Sequence, residues 1–154
     1  MSLYFLDSSA PVKRYVTEIG SDWIRAVTDT AAGNPLIIAR ITWVEVLSAL
    51  ARRQREGSIT PDDVARAIQT FNYDLDMQYQ VAEVDAALAR AAGELVIQHP
   101  LRAYDAVQLA SALRVQSDLA QTEVTSLTFV TADERLMAIA QAQGLHTDNP
   151  NQYL

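Results

Sequence analysis

A chain of 154 residues, 49% of them hydrophobic and 20% charged, has room for one compact domain and too little for two ordinary ones, so residues 1–154 read as a single unit. Cysteine is absent, which excludes disulfide frameworks, thiolate zinc sites and cysteine nucleophiles and favours a reducing, cytoplasmic setting. Nineteen acidic against twelve basic residues give a net charge of −7, which excludes a protein that coats nucleic acid by neutralising phosphates.

Leu3 to Leu6 is a short continuous apolar run of the kind that forms a strand buried on both faces, and it ends directly on Asp7. A Gly33, Asn34, Pro35 turn precedes a second such run, Leu36 to Ala39. Thr42 and Glu45 match a capping box opening a helix whose inner face is Val44, Leu47, Ser48 and Leu50, and Gly57 stands where that helix should end. Thr60 followed by Pro61 opens a long helix, Asp62 to Tyr79, with Val64, Ile68, Phe71, Leu75 and Tyr79 along one side. That stripe is more apolar than a peripheral helix needs, which predicts either a homodimer or burial within the monomer. A weaker strand is expected over Tyr79 to Val84. His99 and Pro100 break what would otherwise be one helix from Asp85 to Asp118, leaving a helix over Ala103 to Gln116. Leu127 to Val130 is a third apolar strand. Thr131 with Glu134 matches another capping box, Gly144 ends the helix that follows, and a last strand is expected over Leu145 to Thr147. Strands alternating with helices predict an α/β fold around a parallel sheet. The longest stretch free of Asp, Glu, Lys and Arg, Leu136 to Thr147, is 12 residues, too short for a membrane span.

Ligands of open parallel sheets bind beyond the carboxyl ends of the strands, and four acids fall there. Asp7 ends the first strand, Glu45 opens the helix after the second, Asp105 opens the Ala103 to Gln116 helix, and Asp133 opens the helix after Leu127 to Val130. Each has a structural reading as a cap or first-turn acid. Asp105 resists it, because its helical neighbours are Leu101, Leu109 and Ala112, and an acid on an apolar stripe is costly without a partner. Glu134 already serves the second capping box, which leaves Asp133 without a structural task. Four converging carboxylates repel one another, and a hard divalent cation, Mg²⁺ or Mn²⁺, resolves that repulsion while suiting phosphodiester hydrolysis. Such a cation would also draw in a nucleic acid that the net charge repels.

The stretches LYFLDSSAPVKRYVTEIGS, ITWVEVLSALARRQREGSIT, LRAYDAVQLASAL and TFVTADERLMAIAQAQGL, followed by Asn149 and Pro150, resemble PIN-domain nucleases, in particular VapC-like toxins of toxin–antitoxin pairs. The resemblance covers nearly the whole chain in order and departs at Pro11, where leucine is common. It implies a three-layer α/β/α sandwich with parallel strand order 3-2-1-4-5. It also implies an Mg²⁺- or Mn²⁺-dependent endoribonuclease that hydrolyses RNA, forms a homodimer and is silenced by a cognate antitoxin. By position, Asp7, Asp105 and Asp133 match metal-binding aspartates, Glu45 matches an acid acting through a water, and Ser9 and Thr131 match supporting hydroxyls. Arg102, three residues before Asp105, is a candidate phosphate-orienting arginine. Lys13 with Arg14 reads as a solvated helix face or a phosphate contact, and Arg52, Arg53 and Arg55 as a charged helix end complementing the dipole or as contacts to RNA or antitoxin.

Other classes compete with this expectation. An aspartate-nucleophile phosphatase would want a second aspartate at position 9, where the chain has Ser9. A nucleotide-binding module would want a glycine-rich phosphate loop, which the five glycines do not form. A catalytically silent RNA- or protein-binding module on the same fold would bind metal without cleaving RNA.

Overall fold

The computed structural model describes residues 2–122 and 126–154. Its sheet has five parallel strands: β1 (Leu3–Leu6), β2 (Leu36–Ala39), β3 (Tyr79–Ala82), β4 (Leu127–Val130) and β5 (His146–Asp148). Their order in space is β3-β2-β1-β4-β5, as expected. The described helices are α1 (Val12–Tyr15), α2 (Ser21–Thr28), α3 (Thr42–Arg55), α4 (Pro61–Met77), α5 (Ala86–Gln98), α6 (Ala103–Leu119) and α7 (Glu134–Ala142).

Strand side chains alternate between two apolar layers, as the two-residue period of a strand requires. Phe5, Ile37, Leu127 and Phe129 pack under α5, α6 and α7 with Leu88, Leu109 and Leu136. Leu6, Leu36, Ile38 and Val130 pack under α1 to α4 with Val12, Ile24, Leu50 and Phe71. The register of Phe5 with both Ile37 and Phe129 keeps the two layers apart, so the central strands are covered on both faces while the edge strands β3 and β5 are partly exposed. The α/β/α sandwich is thus written in the alternation of four-residue strands.

The apolar stripe of the fourth helix belongs to this core. Val64 and Phe71 are buried, Ile68 and Leu75 pack against the same cluster, and Tyr79 is the buried first residue of β3. The monomer therefore covers the face that raised the possibility of a dimer. The helix stops at Met77 because Tyr79 pairs with Leu36 in the sheet. β3 ends at Ala82 and not Val84, because Asp85 turns the chain and caps α5 through Leu88 N–H. β5 begins one residue later than expected, since Leu145 N–H closes back on Ala140 O behind Gly144, whose φ is +92°.

Of the expected caps, Thr60 forms its box with Asp63, but the other two do not form. Thr42 is buried within the first turn of α3 and receives a hydrogen bond from Gln108, and Ile41 occupies the cap position. Asp133, not Thr131, caps α7, its Oδ1 accepting from the N–H groups of Arg135 and Leu136. Asp133 does have a structural task. No described helix is long and apolar enough to cross a membrane.

Candidate active site

From β1 the chain winds to β2 and β3 on one side and to β4 and β5 on the other, so the crevice of this sheet lies at the carboxyl ends of β1 and β4. A cavity of about 520 Å³ opens there, and Asp7, Glu45, Asp105 and Asp133 all line it, together with Ser8, Ser9 and Arg102. Thr131 lies buried beneath the rim, accepting a hydrogen bond from Asp133 N–H.

Asp7 is only 4% exposed. Its Oδ1 accepts hydrogen bonds from Ser9 N–H at 3.0 Å and Ser9 Oγ at 2.5 Å, and the same Oγ accepts from Ala132 N–H at 2.9 Å. Ser9 therefore ties the end of β1 to the segment following β4. Burial pushes the Asp7 carboxyl up to about 6, against the hydrogen bonds from Ser9 and Thr131, which favour the charged form. The Glu45 charge adds only a small upward push. Repulsion between the acids is thus present, but desolvation is the larger effect.

Glu45 stands on the first turn of α3, where its Oε1 accepts from Gln108 Nε2 at 2.8 Å and its Oε2 from Ser8 Oγ at 3.0 Å. Burial raises its pKa too, opposed by those hydrogen bonds. Gln108 is itself buried and gives its second amide N–H to Thr42 Oγ1 at 2.8 Å, so both its donors hold α3 against α6. Sequence reasoning missed Ser8 and Gln108. The signal for Gln108 was its place three residues after Asp105, which puts an amide on the same face of α6 as the acid.

Arg102 resolves how Asp105 tolerates its apolar surroundings. The arginine side chain, 78% exposed, reaches Asp105 Oδ2 with Nε at 3.2 Å and lies with Nη2 3.9 Å from Asp133 Oδ2. It thus supplies a positive charge between two of the acids. Lys13 is not on a solvated face: it is buried, donates to Ile19 O, and pairs with Glu18, which also pairs with Arg53. Arg14 is likewise withdrawn into an ion pair with Asp74.

The donor set suits a hard divalent cation, since every candidate ligand is an oxygen. Among the described residues no three acids stand close enough to form a ready-made cage. That spacing fits a small cation held by one or two carboxylates with water completing its shell.

The model of the PIN domain family matches residues 4–142. Ribonuclease VapC45 of Mycobacterium tuberculosis is 36% identical over 115 residues, covering 75% of this chain and 78% of that protein. Among solved structures, VapBC2 from Rickettsia felis bound to a promoter DNA fragment superposes with a TM-score of 0.63 at 14% identity, covering 96% of this chain and 98% of that one. A toxin–antitoxin complex from Klebsiella pneumoniae superposes with a TM-score of 0.60 at 17% identity, covering 97% and 98%. At those identities the structural likeness carries the fold.

Proposed function

The chain belongs to the PIN domain family, and we propose that it is a divalent-metal-dependent endoribonuclease, the toxin of a toxin–antitoxin pair. The observation that carries this reading is the convergence of Asp7, Glu45, Asp105 and Asp133 on one cavity at the β1/β4 crevice. Ribonuclease VapC45 is a ribonuclease by name, and two fold neighbours are described as complexes of toxin–antitoxin type, which supports a cognate antitoxin as partner. The reading takes residues 1–154 as one PIN-like domain working in the cytoplasm.

In this reading one or two of Asp7, Asp105 and Asp133 would bind Mg²⁺ or Mn²⁺ directly and the remaining aspartates through its water shell, with Glu45 also acting through a water. When bound, such a cation lowers the pKa of an attacking water and neutralises charge developing on the phosphate. The chain supplies the rest. Ser9 and Thr131 keep the Asp7 carboxylate aimed, and Gln108 and Ser8 hold both oxygens of Glu45 so that it can accept the proton from an attacking water. Arg102 is placed to exchange its carboxylate partners for a phosphate oxygen of the RNA, so charge is balanced before and after substrate arrives.

Chelation should abolish cleavage of RNA by the purified protein, and Mg²⁺ or Mn²⁺ should restore it. Cleavage that persists in chelator would overturn the metal dependence, and metal binding without any cleavage would select the silent binding module instead.

The homodimer rests on different residues from those first expected. With the inner stripe of α4 buried, the exposed side chains of Tyr73 and Met77 on its outer side, beside the half-exposed Trp43 of α3, are one apolar surface open to a second copy. Light scattering at micromolar concentration should give twice the chain mass of 17.0 kDa. A value of one chain mass that holds on concentration would refute the dimer.

A further inference from the structure

The cavity that holds the four acids has two features that no acid chemistry uses. Tyr104, adjacent to Asp105 at the start of α6, lines the cavity and is 64% exposed. Among the described residues its ring stacks on no other ring and its hydroxyl makes no hydrogen bond. The other aromatic residues with free ring faces lie away from this cavity.

The second feature is Arg52. Four cations line the cavity, and three of them are engaged: Lys13 and Arg53 with Glu18, and Arg102 with Asp105. Arg52 has no ion pair or side-chain hydrogen bond among the described residues. It follows Val44 and Ser48 at four-residue intervals, and all three line the cavity on one exposed face of α3; the inner face expected at Val44 and Ser48 is carried instead by Val46 and Leu50. At 1.5 Å per residue Arg52 stands about 12 Å along the helix from Val44, at the opposite end of this face from the first turn that carries Glu45.

We propose that Tyr104 is a nucleobase-stacking residue and that Arg52 holds a second backbone phosphate, so that single-stranded RNA runs along the Val44, Ser48, Arg52 face of α3 and across the carboxylates. This rests on the ribonuclease reading and adds to it the two residues that grip the strand on either side of the carboxylates. A free aromatic face beside a phosphate site takes any unstacked base, because every base has a π-face, whereas a base inside a duplex is already stacked on its neighbours. The free guanidinium on an otherwise acidic protein gives the backbone a place to bind without displacing an internal ion pair.

The test uses a short single-stranded RNA that the wild-type protein cleaves at one site, remade with an abasic ribonucleotide at each position in turn. At one position flanking the cut, the abasic substitution should lower kcat/KM of the wild type by roughly 5- to 100-fold, the range that base–aromatic stacking spans. Tyr104→Ala should lose a similar factor on the intact RNA and lose little more on that abasic substrate, whereas Tyr104→Phe should behave as wild type. Arg52→Ala should weaken binding evenly across sequences and reduce the salt slope by about one, with Arg52→Lys retaining it. The same abasic profile in wild type and Tyr104→Ala, or full activity in Tyr104→Ala, would overturn the stacking site while leaving the ribonuclease reading intact. A wild-type protein that cleaves no RNA in the presence of Mn²⁺ would overturn both.

Discussion

Asp7→Asn should abolish RNA cleavage and at the same time raise the melting temperature of the metal-free protein at neutral pH. The two effects have one cause. The buried carboxyl titrates at about 6 in the fold against an ordinary 3.8, mainly because burial strips its charged form of water. At pH 3 both folded and unfolded chains carry the proton, and the residue costs nothing. As pH rises through 3.8 the unfolded chain releases its proton first, so stability falls between about pH 4 and pH 6 and stays lowered above that. The full penalty is about 3 kcal/mol. Asparagine has no charge to desolvate and keeps an oxygen for Ser9, so the variant should gain up to about 3 kcal/mol at pH 7.5, or roughly 6–12 °C for a chain of this size. It should also lack the decline between pH 4 and pH 6. A divalent cation binds the charged form, so it should raise wild type by mass action and the variant far less. Loss of cleavage should exceed the roughly 10- to 100-fold that removing an outer-shell partner costs. A variant that melts lower than wild type in chelator at pH 7.5 would show that Asp7 is held by structure and not against it.

The reading of Asp7 marks where sequence reasoning works and where it stops. Short apolar runs located β1, β2 and β4, since a four-residue strand buried on both faces leaves few other interpretations, whereas the two edge strands, β3 and β5, carry polar residues and were legible only approximately. The convergence of four acids was legible for the same reason: each stood at the carboxyl end of a strand or the first turn of a helix, and topology alone brings those places together. What failed were assignments in which one residue had two uses. Thr42 and Glu45 have the spacing of a capping box, yet both face α6, where Gln108 is a better partner than a backbone N–H. Thr131 and Glu134 have the same spacing, but Asp133 captures the N–H groups first.

Side-chain reach was the other hidden quantity. Lys13 and Arg14 look like surface charges in sequence, because a long stem and a charged head give no sign of which way they turn. Glu18, five residues on, draws Lys13 inward, and Asp74, sixty residues on, draws Arg14. Only the second pairing is long-range, and neither has a periodicity that would betray it. Arg102 shows the converse: singled out as a phosphate-orienting arginine, it stands three residues before Asp105, and that spacing gives an ion pair with the acid in the protein as it stands.

Removing either partner of the Arg14–Asp74 pair should destabilise the fold sharply. Arg14 on α1, Asp74 on α4 and Tyr79 at the start of β3 meet with Tyr15 in one polar knot inside an apolar layer, with the arginine and aspartate side chains only 16% and 12% exposed. Tyr15 Oη donates to Asp74 Oδ2 at 2.7 Å and lies 3.1 Å from Tyr79 Oη, while Arg14 Nη1 donates to Tyr79 Oη at 3.2 Å and sits 3.4 Å from Asp74 Oδ2. Burial raises both phenols, so they stay neutral and act as hydrogen-bonding partners at any physiological pH. Removing one charge strands the other where little water reaches it, so Asp74→Ala and Arg14→Ala should each cost about 3–5 kcal/mol. That corresponds to roughly 6–20 °C in Tm. Replacing both by apolar residues of similar volume, Arg14→Met with Asp74→Leu, should recover most of the loss, because the stranded charge and not the missing contact dominates it. Activity should follow stability in the single variants, since α1 begins three residues after Ser9 and anchors the turn that aims Asp7. Thermal melts of the two single variants and the double variant decide it: a loss below about 1 kcal/mol in Asp74→Ala, or a double variant as unstable as the sum of the singles, would show that the knot is a surface ion pair in all but position.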